Sequence, residues 1–181
     1  MPNSARKAAR RLSHGGKVGT GKWHRAFRFD AAAEFAVEVD PRGVDDDGIA
    51  ALAGAGCSRI SIGVQDFNVD VQRAINREQS FEVTARAVGR FRAAGVRSIN
   101  IDLVYGLPHQ TRDSMEATIA LVLKLAPDRI ALFGYAHLPA RLPHQRLIAE
   151  AALAAGRCEL AMAALRGINR WPESDSCGVM R

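Results

Sequence analysis

Residues 98–108 read Ser98-Ile99-Asn100-Ile101-Asp102-Leu103-Val104-Tyr105-Gly106-Leu107-Pro108. The Ile- and Val-rich stretch 98–104, closed by a Gly-Leu-Pro turn, reads as a β-strand. Three further runs share its composition, at 34–39, 59–64 and 129–135. Between them the apolar spacing predicts helices over 45–55, 80–94 and 111–125. The first opens on three aspartates suited to the positive end of a helix and stops near Gly56. The second has Ser80 as N-cap, sets Phe81, Ala85, Val88 and Phe91 on one face, and stops at Gly95. The third lines up Met115, Ile119, Val122 and Leu125 and ends before Pro127. Strand and helix in alternation imply parallel strands joined by right-handed crossovers. The architecture is then α/β, either an open doubly wound sheet or a segment of a (β/α) barrel.

The phosphate fingerprint Gly-x-Gly-x-x-Gly follows none of the four strands, which weakens the dinucleotide-fold alternative. Gly15-Gly16 and the pair Gly19 and Gly21 occur where no strand precedes them. In both architectures ligands bind at the carboxyl ends of the strands. Glu38 and Asp40 end the first strand, and Gln65 and Asp66 follow the second. Asp102 lies inside the third, and Tyr135 and His137 end the fourth. A charge inside an apolar strand is costly unless it meets a partner or a ligand. A shared binding site at one rim accounts for these residues better than surface decoration. The competing accounts are a purely structural polar network for Glu38 and Asp102, and a surface ion pair of Arg77 with Glu78 or Glu82. His137 reads as a strand-end cap, and Asp45, Asp46 and Asp47 as a solvated helix start rather than a metal cluster.

The chain of 181 residues suffices for one domain with a sizeable core, and its 48% apolar and 24% charged residues are ordinary for a globular protein. No apolar run approaches the roughly 20 residues of a membrane span. With no signal-peptide pattern, the expected location is cytoplasmic. The net charge of +6 is uneven. Residues 1–28 hold eight basic residues and no acid, leaving 17 of the 25 basic residues against all 19 acidic ones, a balance of −2. A basic tail on a near-neutral body argues against nucleic acid as the partner. Residues 1–24 have no steady period and read as a flexible basic lead-in. Cys57, Cys158 and Cys177 follow no metal or redox spacing, so no metal ligand is assigned, and Cys57 reads as a small buried residue.

Five segments together resemble the oxygen-independent coproporphyrinogen III oxidase family. They are Val37-Glu38-Val39-Asp40-Pro41-Arg42, Gly63-Val64-Gln65-Asp66-Phe67-Asn68, Val71-Gln72-Arg73-Ala74-Ile75-Asn76-Arg77-Glu78-Gln79, the stretch from Asn100 to Pro108, and Tyr135-Ala136-His137-Leu138-Pro139. The likeness covers about residues 25–165 in the family's order and spacing. Gly-Leu-Pro after a strand is shared with related radical S-adenosylmethionine (SAM) proteins. The Asn-Arg-Glu-Gln and Tyr-Ala-His-Leu-Pro blocks point to the oxidase itself.

The resemblance implies a partial (β/α) radical SAM barrel with about four parallel strands and intervening helices. It implies an enzyme of heme biosynthesis that converts two propionate side chains of coproporphyrinogen III to vinyl groups without oxygen. In that family a [4Fe-4S] cluster reduces SAM to a deoxyadenosyl radical, and two SAM molecules bind. Position by position, Glu38 would contact the first, and Gln65, Arg77, Asp102 and Ala136 the second. The residue types suit those roles. A carboxylate at Glu38 pairs with an ammonium, and the Arg77 fork holds a carboxylate by two bonds. Asp102 suits ribose hydroxyls or an ammonium, Gln65 both donates and accepts, and Ala136 offers only backbone groups. No catalytic residue is assigned.

The family's Cys-x-x-x-Cys-x-x-Cys motif, which brings three thiolates to one cluster, is absent from this sequence. Residues 1–24 and the tail 166–181 show no resemblance to the family. The expectation is a central fragment, inactive alone, with a frameshift or gene remnant as one explanation. The alternative is a cluster-free protein that keeps a SAM or porphyrin pocket. Four strands of a larger barrel would leave open edges, from which marginal stability or aggregation is expected.

Overall fold

Alternation along the strands writes two unlike faces into one sheet. The computed structural model describes residues 34–142, 145–146, 148, 152–153 and 156–168. The expected lead-in 1–24 and residues 169–181 of the tail lie outside them. Strands β1 (Ala36–Val39), β2 (Arg59–Gln65), β3 (Ser98–Tyr105) and β4 (Arg129–Gly134) form one sheet in sequence order. All three pairings are parallel. Helices α1 (Asp46–Gly54), α2 (Val69–Ala74), α3 (Phe81–Ala93), α4 (Arg112–Lys124) and α5 (Arg157–Ile168) complete the described elements.

Residues at every second position, Val37, Val39, Ile60, Ile62, Val64, Ile99, Ile101 and Leu103, are buried in a single core. Against them pack Ile49 and Leu52 of α1, Val88 and Phe91 of α3, Met115, Ile119 and Val122 of α4, and Leu160 and Ala164 of α5. Burying each such side chain is worth roughly 1.5–3 kcal/mol. The intervening positions are Glu38, Ser61, Gly63, Asn100 and Asp102, a polar set on the opposite face. Strand order without reversal puts every right-handed crossover on the same side. A doubly wound sheet would reverse its order and cover both faces. The sheet is therefore an unclosed arc of a (β/α) barrel, with its inner face polar.

Helix starts follow the sequence. The side chains of Asp45 and Ser80 accept from Gly48 N at 2.8 Å and Val83 N at 3.3 Å, and Thr111 forms a reciprocal capping box with Ser114. Three details differ. β1 starts at Ala36 because Ser58 closes on Phe35: the Phe35 amide donates to Ser58 Oγ at 3.2 Å, and Phe35 O takes the Ser58 amide at 2.9 Å. β4 ends at Gly134, although the Tyr135 amide still donates to Tyr105 O at 2.8 Å. Helix α2 was not expected; six residues carry too little periodicity, and its signal is Asn68, which caps the amides of Asp70 and Val71.

Candidate functional site

Register places the polar residues in two adjoining rows across the inner face. Glu38 is paired with Ser61 and Ser61 with Asn100, while Gly63 is paired with Asp102. Ser61 Oγ donates to Asp102 Oδ2 at 2.7 Å, and Asn100 Nδ2 donates to Asp102 Oδ1 at 2.6 Å and to Ser61 Oγ at 2.7 Å. The carboxylate is thus fixed by neighbours on its own and the adjacent strand. Burial pushes the Asp102 carboxyl above the ordinary range; the Ser61 and Asn100 bonds oppose this, and the charge of Glu38 adds to it.

Arg77 and Gln65 overhang Gly63. Arg77 Nη2 donates to Gly63 O at 2.7 Å, and Nη1 stands 3.6 Å from Asp40 Oδ2. A Cβ on Gly63 would lie 2.8 Å from Gln65 Nε2 and 3.2 Å from Arg77 Nη2, so the space over this residue is already claimed by both side chains. Arg77 therefore turns inward to the strand end and to Asp40. Asp40 also takes a two-pronged bond from Arg42, with Nη2 at 2.7 Å and Nε at 3.0 Å. The Arg42 hydrogen bond, with help from Arg77, holds the Asp40 carboxyl down at about 2 against an opposing effect of burial.

Ala136 lies beyond the carboxyl end of β4, where its carbonyl accepts from Gln145 Nε2 at 3.0 Å while Gln145 Oε1 accepts from Leu138 N at 2.5 Å. The structure thus joins Gln65 and Arg77 directly over Gly63, and sets Glu38 and Asp102 beside them. Ala136 shares their end of the sheet and is held by a separate clip. Tyr135 Oη and His137 Nδ1 lie 3.3 Å apart, so these two partner one another. Asp66, expected at the rim, is instead fully buried on the helix side. Ser61 and Asn100 were missed by the sequence reading. Their signal is there in Arg59-Ile60-Ser61-Ile62 and Ile99-Asn100-Ile101-Asp102, where polar residues hold every inward position.

Surface hollows of about 640 and 710 Å³ contain none of the five expected residues. Among the described residues the sheet is not closed, and an unclosed arc presents its inner face as an open concavity rather than an enclosed hollow. Among the described residues, no group of three His, Cys, Asp or Glu side chains could hold a metal ion. Cys57 is buried and free, and its Sγ donates to Arg59 O at 3.2 Å. No helix among the described residues is long and apolar enough to cross a membrane.

The family model of the radical SAM superfamily matches residues 6–122. Sheet, inner polar face and sequence agree, and the chain belongs to the radical SAM superfamily. Within that superfamily its curated relatives include coproporphyrinogen III oxidases. The anaerobic coproporphyrinogen III oxidase 1 of Cereibacter sphaeroides is 56% identical over 120 residues, 66% of this chain and 26% of the relative. The oxygen-independent enzyme of Escherichia coli is 47% identical over 127 residues, 70% of this chain and 28% of the relative. The solved structure of the E. coli coproporphyrinogen III oxidase (HemN), a radical SAM enzyme, superposes with a TM-score of 0.80 at 39% identity. That match covers 83% of this chain and 35% of the other. The chain spans about a quarter of the length of these curated relatives. The family match begins inside the stretch expected as lead-in.

Proposed function

We propose that this chain is the SAM-holding central part of an oxygen-independent coproporphyrinogen III oxidase, acting on a porphyrinogen in the cytoplasm. The observation that carries the reading is the polar inner face: Asp102, level with Gly63 and near enough to Glu38 to feel its charge, beside Arg77 and Gln65 over Gly63. These residues fit SAM. Glu38 would pair with the ammonium of one molecule. Asp102 would hold hydroxyls or the ammonium of a second, Arg77 its carboxylate, Gln65 a polar edge, and Ala136 a backbone group. When bound and reduced, SAM supplies the hydrogen-abstracting species that starts carbon dioxide loss from a propionate. What the present residues do is bind and orient: Ser61 and Asn100 fix the Asp102 oxygens, and Asp40 and Gly63 O anchor Arg77.

A [4Fe-4S] cluster does not fit this set. The sequence carries no Cys-x-x-x-Cys-x-x-Cys, and the described residues offer no alternative ligand group. The reading therefore requires that a further polypeptide segment bring the cluster. The free thiol of Cys57 fits a reducing compartment. A second reading follows from the same absence: a cluster-free protein that binds SAM or a porphyrin without turning it over. Anaerobic mixing separates the two. The chain is combined with a polypeptide carrying the family's cysteine motif, SAM, a reductant and coproporphyrinogen III, and divinyl product is measured by chromatography. Product formed only when both polypeptides are present, and lost with Arg77→Ala, is the expected result. No product from two folded pieces that co-migrate would overturn the oxidase reading in favour of the second.

A further inference from the structure

Gln65 has φ of +68°, a conformation that an L side chain adopts at a cost of about 1–2 kcal/mol. The Asp66 amide donates to Val64 O at 2.9 Å, closing a three-residue turn with Gln65 at its centre, and β2 breaks register with β3 at the same point. Such strain persists only where the surroundings over-determine it. The surroundings are a buried polar network that the proposed function does not use. Asp66 Oδ1 accepts from the Asn68 amide at 2.7 Å and from Thr118 Oγ1 at 2.7 Å, and Oδ2 accepts from Gln110 Nε2 at 2.5 Å. The Phe67 amide adds a further donor; among the described residues no cation pairs with this carboxylate, and burial raises its pKa despite these bonds.

The network reaches both loops at the rim. Gln110 Oε1 accepts from the Gly106 amide at 2.6 Å, and its Nε2 also donates to Val104 O at 3.0 Å, fixing the turn after β3. Gln72 Nε2 donates to Asp66 O at 2.8 Å and to Gln79 O at 2.7 Å, while Gln72 O accepts from the Arg77 amide at 2.8 Å. The segment bearing Arg77 is thereby clipped to the residue that follows Gln65.

We infer that Asp66, Gln72, Gln110 and Thr118 are positioning residues, a buried clamp that holds Gln65 in its strained turn and Arg77 beside it, presetting both for one ligand. This deepens the SAM reading and rests on it for the identity of the ligand. The clamp itself is tested without ligand.

In Thr118→Val the hydroxyl is lost at nearly constant shape; Thr118→Ser keeps it; Ile119→Val is a neighbouring core change that leaves the clamp intact. The readouts on the full chain are ¹⁵N relaxation of the Gln65 side-chain amide and Arg77 Nε, and SAM affinity by calorimetry. The expected result for Thr118→Val is a fall of both order parameters below about 0.6 and about tenfold weaker SAM binding, with Thr118→Ser restoring both and Ile119→Val changing neither. Gln110→Ala carries the same readouts should Thr118→Val fail to fold. Order parameters unchanged from wild type in a folded clamp variant would overturn the inference. Wild-type chain that binds no SAM would sink the functional reading alone, since the relaxation comparison still decides the clamp.

Discussion

Asp102 shows most directly how one residue's surroundings set its chemistry. Its carboxyl sits between Ser61 and Asn100 on a half-buried strand, with the Glu38 charge nearby, and its pKa is raised. A raised carboxyl pKa means that ionised Asp102 costs the fold stability, a cost relieved as pH falls through the folded value. Asp40 works in the opposite sense. Held at about 2 against an ordinary 3.8, it contributes stability that is complete above 3.8 and lost as pH falls through about 2. For ligand binding the consequence is separate. A cationic ligand needs ionised Asp102, so SAM affinity is predicted to fall on acidification at a pH above the usual carboxylate range. Calorimetric titration across pH checks this, and Asp102→Asn should bind more weakly with a flatter profile. Glu38 and Asp102 were legible from the sequence as charges inside apolar strands. The two side chains that fix Asp102 were not singled out, because Ser and Asn carry no charge to mark them.

Between residue and molecule stands the junction of β2 and α2. Sequence patterning found β2 and placed Gln65 at its end, but not the bulge, the turn or the short helix behind it. Periodicity cannot report a single residue of positive φ, and Gln is not a residue that advertises one. The strain makes a prediction that contacts alone would not. Gln65→Gly and Gln65→Ala both remove the amide, yet only glycine tolerates φ of +68°. Chemical denaturation should find the glycine variant more stable than the alanine variant by about 1 kcal/mol. Equal stability would show that the turn relaxes freely. Asp66 was read as a rim residue because it follows Gln65. A strand-end position alone does not reveal whether its side chain points to the inner face or back toward α4.

At the scale of the molecule, the order of strands and the side on which the helices pack were both implied by the strand–helix alternation, since right-handed crossovers leave few other arrangements. The missing dinucleotide fingerprint then favoured the barrel over the doubly wound sheet, and the unreversed strand order agrees. What alternation does not reveal is what lies across the inner face from Glu38 and Asp102. Exposed Phe133 on β4, with Met162 and Leu165 on α5, marks apolar surface at the last strand and helix of the arc. Among the described residues the arc is not closed.

Whether the polar inner face holds SAM is decided by calorimetric titration of SAM into the full chain. The expected result is saturable binding, displaced by S-adenosylhomocysteine and weakened at least tenfold by Arg77→Ala. A folded chain that takes up no SAM, or one whose uptake is indifferent to Arg77→Ala, would contradict it.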